Sequence, residues 1–253
     1  MSEGAFVWYE LATTDPTEAA AFYKEVVGWE VEPVPEMHYT LFKQDGARAA
    51  GMMQMPENVL AAGVPPHWVG YIGAADVDRA AEQAQAAGAT LRYGPDDIPG
   101  IGRFAVMTDP DNAPFNLFAP NGEGGNEPGM MALGHPGWHE LMAGDGERAL
   151  GFYSGLFGWT RGEALDMGPM GKYQMFDYGG RTRGGIMTAP EGAKPGWMFY
   201  FVVPSVEAAV GRVKGAGGSV FHGPQEVPGG AWIIQCRDPQ GAAFALVSAP
   251  SQT

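Results

Sequence analysis

The strongest constraint on this chain is that its sequence occurs twice, in order, along its length. Phe6-Val7-Trp8-Tyr9-Glu10-Leu11 recurs as Pro136-Gly137-Trp138-His139-Glu140-Leu141, and each copy runs through an acidic turn into a helix-like stretch. Ala21-Phe22-Tyr23 up to Gly28-Trp29 returns as Gly151-Phe152-Tyr153 up to Gly158-Trp159. Further on, Trp68-Val69-Gly70-Tyr71 parallels Trp197-Met198-Phe199-Tyr200, Tyr93-Gly94-Pro95 parallels His222-Gly223-Pro224, and Asp109-Pro110 parallels Asp238-Pro239.

Within each copy the pattern divides again into a strand, a helix and several short strands punctuated by Gly, Pro and Asp. The expectation is therefore an α+β fold of four βαβββ units, over residues 4–56, 66–120, 136–190 and 196–250. Two domains follow, 1–122 and 133–253, with the Gly-rich stretch around 123–132 as linker because it lacks apolar periodicity. The helices can be checked residue by residue. Asp15-Pro16 offers an N-cap acid and then a proline where a missing N–H costs nothing. Ala19, Phe22, Tyr23 and Val26 follow at steps of three and four, a stripe that covers one face of a sheet, and Gly28 ends it. Val77, Ala80, Ala81, Ala84 and Ala87 repeat the device, closed by Gly88.

Composition narrows the function. With 45% hydrophobic and 17% charged residues the chain can bury two cores. A formal net charge of -14 repels phosphate backbones and anionic lipid, so neither nucleic acid nor membrane is expected as a partner. Met1-Ser2-Glu3-Gly4-Ala5 has no basic, apolar leader and no later run is long enough to span a bilayer, so a cytoplasmic protein is expected. The single cysteine, Cys236, excludes an internal disulfide and paired-cysteine zinc sites; it is expected to be a buried, inert thiol.

An opening strand, an acid seven residues after its inward position, a helix containing Ala-Phe-Tyr or Gly-Phe-Tyr, and then Gly-Trp resembles the first unit of vicinal oxygen chelate domains. Asp109-Pro110-Asp111-Asn112 and Asp238-Pro239-Gln240-Gly241 are similar to that superfamily's turn before its last strand. The group includes glyoxalase I, bleomycin-resistance proteins and extradiol dioxygenases, and the resemblance covers nearly the whole chain.

The resemblance implies a divalent metal held by His, Gln or Glu on strands around a cleft. At the corresponding positions this chain has Trp8, Met53, Val69 and Asn116 in one copy and Trp138, Met187, Met198 and Ala245 in the other. Indole, thioether, aliphatic and carboxamide groups do not make a site for a divalent ion, so no metal and no cofactor are expected. His38, His67, His135, His139 and His222 stand at none of these positions. His139 would enter the cleft only after a one-residue slip; in register it points, like Tyr9, towards the helices.

Strand alternation puts Glu10 beside Trp8 and Glu140 beside Trp138 on the cleft side. Desolvation favours the neutral form of a carboxyl in an apolar cleft, which suits acid or base work or a hydrogen bond to a ligand. A structural pairing of each with Arg, Tyr or a backbone donor is the alternative. Trp68, Tyr71, Trp197 and Tyr200, with Trp8, Trp138 and Asn116, are the expected ligand-binding walls. The function expected is metal-free binding of a small apolar or aromatic molecule, with sequestration in the bleomycin-resistance branch as precedent. The alternative is an enzyme, either a glyoxalase-type lyase or isomerase with unconventional ligands or an acid/base catalyst using Glu10 or Glu140. Two copies in one chain can pair as separate subunits do elsewhere in the superfamily, so a monomer is expected.

Overall fold

The computed structural model describes residues 3–122, 129 and 131–250. The linker expected over 123–132 therefore lies largely outside the described residues. The first half runs β1 Phe6–Thr13, α1 Pro16–Val26, β2 Glu30–Val34, β3 Tyr39–Gln44, β4 Ala47–Gln54, a short α2 Glu57–Ala61, β5 His67–Gly73, α3 Val77–Ala86, β6 Thr90–Ile98, β7 Gly102–Thr108 and β8 Pro114–Pro120. The second repeats it as β9 Pro136–Ala143, α4 Gly146–Phe157, β10 Thr160–Asp166, β11 Lys172–Tyr178, β12 Arg181–Thr188, β13 Gly196–Val202, α5 Val206–Gly215, β14 Ser219–Glu226, β15 Trp232–Arg237 and β16 Ala243–Ser248. The strands form two mixed eight-stranded sheets, ordered β2-β3-β4-β1-β5-β8-β7-β6 and β10-β11-β12-β9-β13-β16-β15-β14. The α+β architecture of four βαβββ units is thus the one expected, with α2 as an addition. Among the described residues no helix is long and apolar enough to cross a membrane.

Each unit closes on itself because its first and last strands pair in parallel. Glu10 stands opposite Gly51 across β1 and β4, and Glu140 opposite Gly185 across β9 and β12. The helices that make these crossovers start on side-chain caps. Asp15 accepts from the N–H groups of Thr17 and Glu18, Asp76 from Arg79, Asp145 from Arg148 and Ser205 from Ala208, at 2.9–3.1 Å. Each such cap contributes about 1 kcal/mol. Gly28 and Gly88, at φ 94° and 98°, take the left-handed turn that ends α1 and α3.

While the sheets follow the tandem halves, the packing does not. Compact unit 1 gathers 1–8, 69–127 and 139–197, and compact unit 2 gathers 9–68, 128–138 and 198–253. In unit 2, α1 packs on α5, and the Arg212 guanidinium donates to the Val26 carbonyl at 3.1 and 3.2 Å. The Trp29 indole donates to the Gly134 carbonyl at 2.8 Å, in a core with Phe42, Trp68, Phe201 and Phe244. In unit 1, α3 packs on α4, Trp159 donates to the Gly4 carbonyl at 2.6 Å, and the Trp159 ring stacks on Phe176.

Each core holds a buried aspartate. Asp238 accepts the Tyr23 hydroxyl at 3.1 Å, and Asp109 accepts the Tyr153 hydroxyl at 3.2 Å; each carboxylate also accepts backbone N–H groups of its own turn. Burial raises both carboxyls above the usual Asp range despite these bonds. Cys236 is fully buried, and burial pushes its thiol up to about 12, so it is the inert core thiol expected.

Candidate functional site

The face of each sheet turned away from the helices is where the expected site residues have to be found. Along β1, Tyr9, Leu11 and Thr13 are buried while Trp8, Glu10 and Ala12 are half-exposed, so Trp8 and Glu10 share the face away from the helices. Along β9, Trp138 and Met142 are half-exposed and Glu140, though buried, shares their face by the strand's period of two, which puts His139 on the other side. That ring is 4% exposed, stacks on Phe6 with centroids 4.5 Å apart, and has Nδ1 2.8 Å from the Arg183 carbonyl. Burial depresses its pKa to about 4. It is a core histidine on the helix side, as its register requires.

Each glutamate meets a tyrosine from two strands away. In unit 2 the Tyr39 hydroxyl donates to Glu10 Oε2 at 2.8 Å; in unit 1 the Tyr173 hydroxyl donates to Glu140 Oε2 at 3.2 Å. Between the partners lies a glycine on β4 or β12. A Cβ on Gly51 would fall on the Tyr39 ring and hydroxyl, and one on Gly185 would fall on the Tyr173 ring. Glycine is thus required here for close approach, and the ring lies across the bare backbone to reach the acid. Sequence reasoning missed Tyr39, Tyr173 and both glycines. The available signal was their shared spacing of twelve residues, Tyr39 to Gly51 and Tyr173 to Gly185.

The aromatic walls need one correction. Trp68 and Trp197 do not line this face: they are 3% and 8% exposed, and their indole N–H groups donate to the Tyr23 hydroxyl at 2.8 Å and the Tyr153 hydroxyl at 3.1 Å. Period-two alternation explains it, since Trp68 must face opposite to Val69 and Tyr71. Both tryptophans extend the buried Tyr–Asp pairs. Tyr71 and Asn116 are cross-strand neighbours on β5 and β8, and Phe118, two residues after Asn116, packs edge-on against Tyr71. In unit 2 the matching neighbours are Tyr200 and Ala245, where Gln235 on β15 donates to the Tyr200 hydroxyl at 2.7 Å. Trp138 and Met198 pack against the buried cluster of Tyr200, Val202, Ala245 and Val247.

The residues present do not fit a metal. Among the described residues no group of three or more His, Cys, Asp and Glu is placed so that it could hold a metal ion. The superfamily's ligand positions offer indole, thioether, aliphatic and carboxamide groups, with no set of charged or imidazole donors. A shallow cavity of about 180 Å³ in unit 1 lies elsewhere, where Asp76 and Arg79 meet Leu156 and Phe157. Its Asp76 carboxylate is spent capping α3.

Residues 8–118 match the family model described as a glyoxalase-like domain, and residues 132–246 match that of the glyoxalase/bleomycin resistance protein/dioxygenase superfamily. Over 262 residues the chain is 29% identical to the anthracycline biosynthesis protein DauV of Streptomyces sp. strain C5, covering 96% of this chain and 93% of that one. Among solved structures it is similar to 2,2',3-trihydroxybiphenyl 1,2-dioxygenase of Sphingomonas wittichii RW1, with TM-score 0.70, 14% identity, and 98% and 91% of the two chains covered. The Mn(II)-bound glyoxalase of Novosphingobium aromaticivorans gives TM-score 0.66 at 18% identity, over 100% of this chain and 85% of that one. At such identities these two structures speak for the fold alone.

Proposed function

Because this chain belongs to the glyoxalase/bleomycin resistance protein/dioxygenase superfamily, we propose that it binds a small, largely apolar or aromatic molecule on the helix-free faces of its sheets, without a metal. Trp8 and Trp138 serve as walls, and Glu10 and Glu140 as polar anchors. The observation that carries this reading is the repeated Tyr–Gly–Glu arrangement. A glycine is held in each copy so that a tyrosine hydroxyl can fix a half-buried or buried carboxylate beside a tryptophan on the same strand. Apolar walls with a few oriented polar groups are what small-molecule sites are made of. The Streptomyces relative, named as an anthracycline biosynthesis protein, is in keeping with a small-molecule ligand.

The same pair supports a second reading, in which the carboxylate accepts a proton from the bound molecule and the tyrosine hydroxyl steadies the charge. Catalysis of that kind uses only the chain's own residues. The test is a titration with 2-naphthol, followed by tryptophan fluorescence, on protein before and after dialysis against EDTA, with metals measured by elemental analysis. Saturable binding that survives dialysis is expected. Binding that appears only with about one equivalent of Mn, Fe, Ni or Zn, or no saturable binding at all, refutes the proposal.

A further inference from the structure

The two sheets treat one matched position differently. Asn116 is 3% exposed, and its Oδ1 has no hydrogen-bond partner. Its neighbours in the sequence, Phe115 and Leu117, are fully buried on the side that packs α3, so Asn116 belongs to the opposite face, with Tyr71 and Phe118. Trp8, on that same face of the first sheet, belongs to the same compact unit. The repeat supplies a control. In unit 2 the residue opposite Tyr200 is Ala245, fully buried and apolar, and the amide of that row comes from Gln235, which is bonded to Tyr200. The fold therefore closes well with a methyl group at this place. A carboxamide buried there with an unmet acceptor is retained against a desolvation penalty that folding does not require.

We infer that Asn116 accepts a hydrogen bond from the ligand, that the ligand is a hydroxylated aromatic molecule, and that the first sheet rather than the second carries its site. This rests on the aromatic-ligand reading above and adds the group that must be donated. A neutral phenol suits the position: its ring packs with Tyr71, Phe118 and Trp8, and its O–H reaches the unmet Asn116 acceptor on that face. A site built around a hydrogen bond discriminates strongly against an isostere that lacks the donor, because the buried partner then stays unpaired.

The test compares 2-naphthol with 2-methylnaphthalene, its isostere without the O–H, by calorimetric titration of the whole chain. The wild type should bind one 2-naphthol per chain, at least roughly tenfold more tightly than 2-methylnaphthalene. Asn116→Ala, which copies Ala245, and Asn116→Leu should both melt no lower than the wild type and abolish the preference. Equal binding of the two probes by the wild type, two equivalent sites per chain, or a preference that survives in both variants overturns the inference and leaves the aromatic-ligand reading standing. Failure of the wild type to bind either probe removes both.

Discussion

Replacing Gly51 with alanine is the most direct way to ask whether the Tyr–Gly–Glu arrangement is built or incidental. The new methyl would occupy the space of the Tyr39 ring and hydroxyl, so the tyrosine must swing out and its bond to Glu10 is lost. Tyr39 is half-exposed and Gly51 has an ordinary φ, so no backbone strain is added and the side chain can yield. The cost is the charge-assisted hydrogen bond and the displaced contacts, about 1–3 kcal/mol. For a chain of this size, at roughly 2–4 °C per kcal/mol, that is a fall in Tm of roughly 2–12 °C. Gly151→Ala is the control: it lies on the exposed side of α4 with nothing within 4 Å of an added Cβ, and it should gain about 0.5–1 kcal/mol. The assay is thermal melting of both variants and of Gly51→Ala combined with Tyr39→Ala. With the ring gone the methyl has nothing to displace, so the double variant should lose less than the two single losses added together. Strict additivity, or a Gly51→Ala melt within a degree of the wild type, would refute the reasoning.

Gly184→Ala should be worse than Gly185→Ala, because its methyl meets the His139 backbone oxygen and the fully buried Phe176 ring instead of a movable tyrosine; a loss beyond about 3 kcal/mol is expected, and equal melts of the two would contradict it. His139 carries a depressed pKa of about 4, so the stability it contributes is complete above its ordinary value of 6.5 and is lost as pH falls from there through 4. The gap corresponds to about 3 kcal/mol, and His139→Phe should flatten the fall in Tm between pH 7 and pH 4; an unchanged slope would show that other groups cause it. Light scattering at micromolar concentration should give the chain mass of 26.8 kDa, and twice that value would count against pairing within one chain.

The sequence by itself determined the repeat, the α+β class, the four units and the helix caps, because these depend on local signals: spacing, turn residues and apolar period. It also determined that Trp8 with Glu10, and Trp138 with Glu140, share a face, and that His139 does not, since a strand's alternation admits no other arrangement. Alternation would have excluded Trp68 and Trp197 too, had it been applied to β5 and β13; number and type of aromatics are no guide to which face they take. Other features needed the tertiary structure. That Tyr39 reaches Glu10 across Gly51 depends on which strands become neighbours and in what register, and β1 meets β4 only after about forty residues of intervening chain. That the sheets follow the tandem halves while the packing units join parts of both depends on which helix faces meet. That Asn116 is left with an unmet acceptor, while its counterpart row pairs Gln235 with Tyr200, depends on the partners gathered around a side chain. Those partners come from distant parts of the chain, and composition and spacing carry no record of them.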